Sequence, residues 1–240
     1  MSLLALVLLG VIIALGAGLQ RLSGMGFALV ASPFLVLTVG PFEAVLITNV
    51  CGVISSLMNL TLMRRDVQWR RVLRFTPFAL IGIGLGALVV AALPADPLAV
   101  TIGVTVLVAI GVTVLMPTRR LHDSLPISAG FGAASGFMNV TAGVGGPAMA
   151  VYAVATQWQH RHFAASAQVH FAVISLTSLL ARRALPSIDT AGWLVTIAAI
   201  LVGTFVGQRL AGRFAEATMM RVVIVLATAG ALTTIVQAIL

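Results

Sequence analysis

"LLALVLLGVIIALGAG", residues 3–18, decides the class of fold. It carries no charge. Its apolar residues do not alternate with polar ones, as they would along the strands of a membrane barrel. Only helices and closed barrels satisfy their backbone groups in lipid, where an unpaired group costs several kcal/mol. The stretch therefore reads as a membrane helix, and the rest of the chain has the same character. Of 240 residues, 60% are hydrophobic and 8% are charged. The mean hydropathy is +1.13. A soluble domain cannot cover its surface with so few charges. The chain reads as an all-α membrane protein, a helical bundle held in the lipid bilayer. Residues 3–18 resemble the apolar core of a signal peptide, but a basic leader and a clear cleavage site are lacking, so the segment is expected to stay in the mature protein.

Apolar runs recur at roughly 3–19, 24–40, 43–63, 72–92, 97–116, 125–140, 144–157, 163–181, 190–208 and 217–239. A straight span needs about 20 residues. Segments one, two, six and seven are shorter and flanked by glycine, which predicts broken or re-entrant helices. The net charge is +8, and every basic residue is arginine. A nucleic-acid partner does not follow, because the arginines lie in short loops between apolar segments. They mark topology instead. With the N-terminus outside, "RRDVQWRR" (64–71), "TRRLHD" (118–123), Arg161 and "RLAGR" (209–213) fall inside, and only Arg182 and Arg183 fall outside. Both termini are therefore expected outside a cell membrane. The loop arginines also suit anionic lipid or an anionic substrate at the inner mouth. Cys51, the single cysteine, excludes a disulfide within the chain.

The sequence repeats weakly. Gly24 and Gly26 match Gly143 and Gly145 at a spacing of 119 positions, as do Val50 and Val169, Leu60 and Leu179, and Arg64 and Arg183. Gly82 and Gly86 match Gly203 and Gly207 at 121. Two halves follow, 1–118 and 119–240. Each holds five segments, an odd number, so the second half would insert upside down. Inverted repeats of this kind place a transporter's substrate near the midplane between them.

Just beyond the opening stretch stands "QRLSGMGF" (20–27), and in the second half "NVTAGVGGP" (139–147). Gln20, Arg21 and Ser23 precede Gly24 and Gly26; Asn139 and Thr141 precede Gly143, Gly145 and Gly146. Glycines let a ligand approach main-chain N–H groups. A helix N-terminus adds free donors and about half a positive charge. Two such ends make a neutral cradle for a small anion. Arg21 reads either as a planar fork for its oxygens or as a topology marker in a cytoplasmic turn. Asn49 and Gln168 correspond at 119 positions, as do Cys51 and His170. Asn49, Gln168 and His170 read as pathway-lining groups or as interhelical hydrogen-bond partners; His170 also fits a proton carrier.

Other positions carry less. His160 and His162 read as a solvated loop. Glu43 reads as a helix-start cap or a proton-coupling carboxylate. "GIGLG" (82–86) and "GTFVG" (203–207) read as close-packing faces, inside the fold or in a homo-oligomer. "AASG" (133–136) lacks the first glycine of a serine-enzyme elbow. No phosphate-loop, haem or zinc motif is present, so no cofactor is expected.

On "GLQRLSGMGFALVASPFLVL" (18–37) and "SGFMNVTAGVGGPAMAVYAV" (135–154), the chain resembles the TauE/SafE family of sulfite and organosulfonate exporters. "ITNVCGVISSLMN" (47–59) and "SAQVHFAVIS" (166–175) support the likeness. The resemblance implies a membrane transporter that moves small sulfur anions such as sulfite, thiosulfate or sulfonates, usually outward. The residues themselves ask only for a small anion. They also leave open a non-transporting scaffold or partner subunit, whose polar groups serve packing.

Overall fold

A computed structural model describes residues 2–23, 27–115, 120–210, 213 and 216–239. Among these the chain is helical, with no strand. The helices are α1 (Leu3–Ser23), α2 (Phe27–Val39), α3 (Pro41–Met63), α4 (Trp69–Ala92), α5 (Ala95–Leu115), α6 (Leu125–Ala142), α7 (Gly146–Ala155), α8 (His160–Arg182), α9 (Thr190–Leu210) and α10 (Glu216–Ile239). Seven of them, α1, α3, α4, α5, α8, α9 and α10, are long and apolar enough to cross a membrane. Large apolar side chains such as Leu88 and Leu180 lie about 70% and 68% exposed, as suits a surface solvated by lipid tails. The chain is a multi-pass membrane protein.

Local chemistry sets the breaks. Gly40, at φ 86°, hands over to Pro41 at the first position of α3, where proline's missing N–H costs nothing. Leu93 is extended at the end of α4, as the residue before Pro94 must be. Gly143, at φ 74°, ends α6 in the left-handed conformation.

Segment one is not short. Neither glycine nor proline interrupts residues 19–23, so α1 runs on through Gln20 and Arg21. Arg21 thus stands in a last helical turn and not in a loop. The shortening concentrates in α2 and α7, with 13 and 10 residues. At 1.5 Å per residue these reach only about 20 and 15 Å, against a hydrocarbon core of about 30 Å. α2 folds back along α1: a Cβ at Gly16 would lie 3.0 Å from the Phe27 ring and 3.3 Å from Ala31.

Two other expectations are corrected. His160 and His162 belong to the first turn of α8, not to a loop. There His162 Nδ1 lies 2.9 Å from the Asp66 carbonyl, and Arg161 Nε lies 2.9 Å from the Asp66 carboxylate. Glu43 stands in the first turn of α3 but makes no cap for it. Its carboxylate accepts the Ser187 N–H at 3.0 Å, tying the α8–α9 connection to α3.

Close backbone contact joins α4 to α6 and α1 to α9. A Cβ at Gly82 would overlap the Ala133 carbonyl, and one at Gly136 the Ala79 carbonyl. In the second crossing, Gly203 meets the Ala14 carbonyl and Gly207 the Gly18 carbonyl. Small residues let helix backbones approach where lipid offers no hydrophobic gain for association. The two crossings use corresponding positions: Ala14 and Ala133 stand 119 apart, and Gly82 and Gly203 stand 121 apart.

Gly82→Leu should therefore lower the melting temperature of the purified protein by about 5 °C or more, since overpacking costs roughly 1–3 kcal/mol. Gly84→Leu, with open space at its Cβ, should leave it unchanged.

Candidate functional site

The break between α6 and α7 lies among buried residues, so each carbonyl freed there needs a donor. The structure supplies them. Arg182 at the end of α8 donates Nε and Nη2 to the Val140 carbonyl at 2.9 and 2.7 Å, and Nη2 to that of Thr141 at 3.2 Å. Ser32 of α2 donates to the Ala142 carbonyl at 2.6 Å. Ser135 donates to the Gly145 carbonyl at 2.7 Å.

That last bond assigns the tautomer of His170. The single hydroxyl proton of Ser135 goes to Gly145, so Ser135 Oγ accepts from His170 Nε2–H at 2.9 Å. Nδ1 then accepts from the Thr76 hydroxyl at 3.0 Å. His170 is fully buried and edge-on to Phe75. Both ring nitrogens are engaged, and the chain Thr76–His170–Ser135 holds the glycine turn in place.

Beside this turn lies a cavity of about 60 Å³. It has room for several water-sized groups. The first residues of α2 (Phe27, Ala28, Leu29) and of α7 (Gly146, Pro147) border it, with Gly143, Val144 and Gly145 before them. α3 adds Thr48, Gly52 and Ser56, and α8 adds Phe171 and Ser175. Gln20 and Asn139 complete the wall. Gly52 and Phe171 are each the midpoint of a 23-residue helix, so the cavity lies halfway along both. Ser56 is fully buried, and its hydroxyl has no partner. No charged side chain lines the cavity among the described residues. The polar groups at its wall are hydroxyls, amides and the backbone at the openings of α2 and α7.

The structure brings together part of the expected set. Gln20, Asn139, Gly143, Gly145 and Gly146 border the cavity. Gly24 and Gly26 lie outside the described residues, and so does the side chain of Ser23. Arg21 does not line the cavity; its Nε donates to Gln208 of α9 at 3.0 Å. Asn49 stands behind the wall. It donates to the Val45 carbonyl at 2.8 Å and accepts from Asn139 at 2.7 Å. Asn139 gives its other amide hydrogen to Ser178 at 2.9 Å, which leaves none for a ligand. Thr141 bonds back to the Phe137 carbonyl and Gln168 to the Ala164 carbonyl; neither reaches the cavity. Thr48, Gly52, Ser56 and Ser175 were not singled out in the sequence. Their signals were the four-residue spacing of the first three, which places them on one helix face, and the 119-residue spacing of Ser56 and Ser175.

A second polar cluster stands where α4 begins. Asp123 accepts the Tyr152 hydroxyl at 2.6 Å and pairs with Arg71 and Arg74 at 3.4 Å each. Partial burial opposes ionisation of Asp123. The Tyr152 hydroxyl and the two guanidiniums outweigh it and hold the carboxyl below its ordinary 3.8.

Apolar spans surround an uncharged cavity at mid-helix with two helix N-termini beside it, an arrangement that recurs among membrane transporters. The chain belongs to the sulfite exporter TauE/SafE family, whose model matches residues 8–234. No curated protein and no solved structure matches it. The family is one of membrane transporters that export anions of the sulfite type.

Two measurements test this geometry. Ser135→Ala orphans the Gly145 carbonyl and His170 Nε2–H together, and should destabilise the purified protein by about 1–3 kcal/mol. Asp123, with its depressed pKa, contributes stability that is present above pH 3.8 and lost as pH falls below it. Acid melts should show a steeper loss in wild type than in Asp123→Asn below about pH 4.

Proposed function

We infer that the chain is a secondary transporter that exports a small sulfur oxyanion, bound in the mid-helix cavity between two inverted repeats, 1–118 and 119–240. The observation that carries this reading is the make-up of the wall. Gln20 and Asn139, Phe27 and Gly146, Ala28 and Pro147, Gly52 and Phe171, and Ser56 and Ser175 all border the cavity, and the members of each pair stand 119 residues apart. A site built from corresponding positions of two halves lies on the pseudo-two-fold axis relating them. That is where inverted-repeat transporters bind their substrates. The matched crossings of α4 with α6 and α1 with α9 support the same symmetry.

The anion sits against the N-termini of α2 and α7, with the hydroxyls of Ser56 and Ser175 and the amide of Gln20 as side-chain partners. Thr48 gives its hydroxyl hydrogen to the Ala44 carbonyl at 2.7 Å and shapes the wall, as does Asn139, while Asn49 and His170 position it from behind. Arg21 takes no part in binding and marks the cytoplasmic end of α1. Both termini lie outside the cell membrane, and the halves rock or gate around the fixed site. Proton coupling through a cavity carboxylate has no carrier among the described residues.

Flux of radiolabelled sulfite, thiosulfate and a small sulfonate into liposomes carrying the purified protein tests this reading. Saturable sulfite or thiosulfate flux is expected. Gly52→Leu, whose Cβ would sit 2.7 Å from Ser175 Oγ, should abolish it. Ser56→Ala should raise KM by about fivefold, and Arg21→Ala should leave flux intact. A folded Gly52→Leu protein with wild-type flux contradicts the cavity as the site. No flux of any of the anions from folded wild type contradicts the transport reading and favours a scaffold.

A further inference from the structure

The cluster around Asp123 faces a cleft far larger than the mid-helix cavity. Its volume is about 560 Å³, and Gln68, Trp69, Arg70, Arg71, Arg74 and Asp123 line it. Three guanidiniums thus share a wall with a single carboxylate. That carboxylate matches them poorly. Arg71 Nε and Arg74 Nη1 each lie 3.4 Å from it, whereas charge-assisted N–H···O bonds close to about 2.7–2.9 Å. Asp123 is instead drawn to the Tyr152 hydroxyl at 2.6 Å. Arg71 Nη1 is buried and has no partner. The Arg71 guanidinium lies over the Trp158 ring, 4.9 Å from its centroid, which holds it flat and in place. The first turns of α4 carry all three arginines, so the partial positive charge of that N-terminus adds to theirs.

We propose that this cleft is a second oxyanion-binding site, in which an anion of the sulfate or phosphate type bridges Arg71 and Arg74 opposite Asp123. Asp123 is the built-in competitor. It keeps the arginines apart and ordered when the site is empty, and its own charge weakens the incoming anion. The ligand chemistry is a tetrahedral oxyanion, whether free in solution or carried by a lipid headgroup. The cleft shares no lining residue with the mid-helix cavity, so it stands or falls independently of that cavity.

The test is a titration of purified protein with sodium sulfate, in nanodiscs of neutral phosphatidylcholine at constant ionic strength, read by the emission of Trp158 and Trp69. A saturable change is expected. Arg74→Gln should weaken sulfate binding by about tenfold, and Asp123→Asn should tighten it by about tenfold. Arg70→Gln alters an exposed side chain with little risk to folding and should weaken binding severalfold. Gly52→Leu, which blocks the other cavity, should bind sulfate at the cleft like wild type even if anion transport proves absent. Repeating the titration with phosphatidylglycerol in the discs separates the sources. A higher sulfate midpoint assigns the cleft to a lipid phosphate, and an unchanged one to a free anion. The proposal is overturned by a response that does not saturate, by one that Arg70→Gln leaves unchanged, or by one lost equally when Arg64 and Arg65 of the neighbouring turn become glutamine.

Discussion

Inside a membrane, a helix can stop only where other groups take over its backbone hydrogen bonds. The interruption between α6 and α7 meets that constraint one carbonyl at a time, through Arg182, Ser32 and Ser135. The opening N–H groups of α7 have no intrahelical acceptor by construction. Gly146, the first of them, borders the cavity beside Pro147, which has no N–H. The break thus sorts its own backbone: acceptors are tied into the bundle, and donors remain for a ligand. The proposed anion site therefore needs no arginine among the glycines. The arginine that matters to the break, Arg182, serves the acceptor side.

The proposed symmetry would account for the cavity's composition. If a wall is drawn from two copies of one motif, any position that faces their axis contributes twice. Ser56 and Ser175 contribute hydroxyls from α3 and α8, while Gln20 and Asn139 contribute amides from α1 and α6. The paired positions differ in role. Asn139 is committed to Asn49 and Ser178, whereas Gln20 has no bond to another described residue and is the amide with hydrogens to offer. Gly52 and Phe171 face each other's helices as a small and a large residue. That trade shapes the cavity without changing its place.

The class of fold was legible at once, because hydropathy and the absence of alternation leave only a helical bundle. The glycine turns were legible too, and they led to Gly143, Gly145, Gly146, Gln20 and Asn139 in the wall. Side-chain direction was not. Successive residues of a helix turn by about 100°, so the neighbour of a lining residue faces elsewhere. Thr48 borders the cavity while Asn49 points to α6, and Gln20 borders it while Arg21 reaches α9. Polarity singled out Asn49 without Thr48 and took Gln20 together with Arg21, whereas side-chain direction separates the members of each pair. His170 attracted attention as a titratable group in a span. Its place was decided by Thr76 and Ser135, which are 94 and 35 residues away in sequence and carry no local mark of the contact.

In the proposed arrangement the anion sits on the axis between the two halves, held by neutral groups. Selenite, a heavier analogue of sulfite, locates it directly. Crystals of the protein soaked with selenite, measured at the selenium edge, should show an anomalous peak between Ser56 and Ser175, beside the first residues of α7. Selenium confined to Arg21 or to the arginine cleft at α4, with the mid-helix cavity empty, would contradict the account.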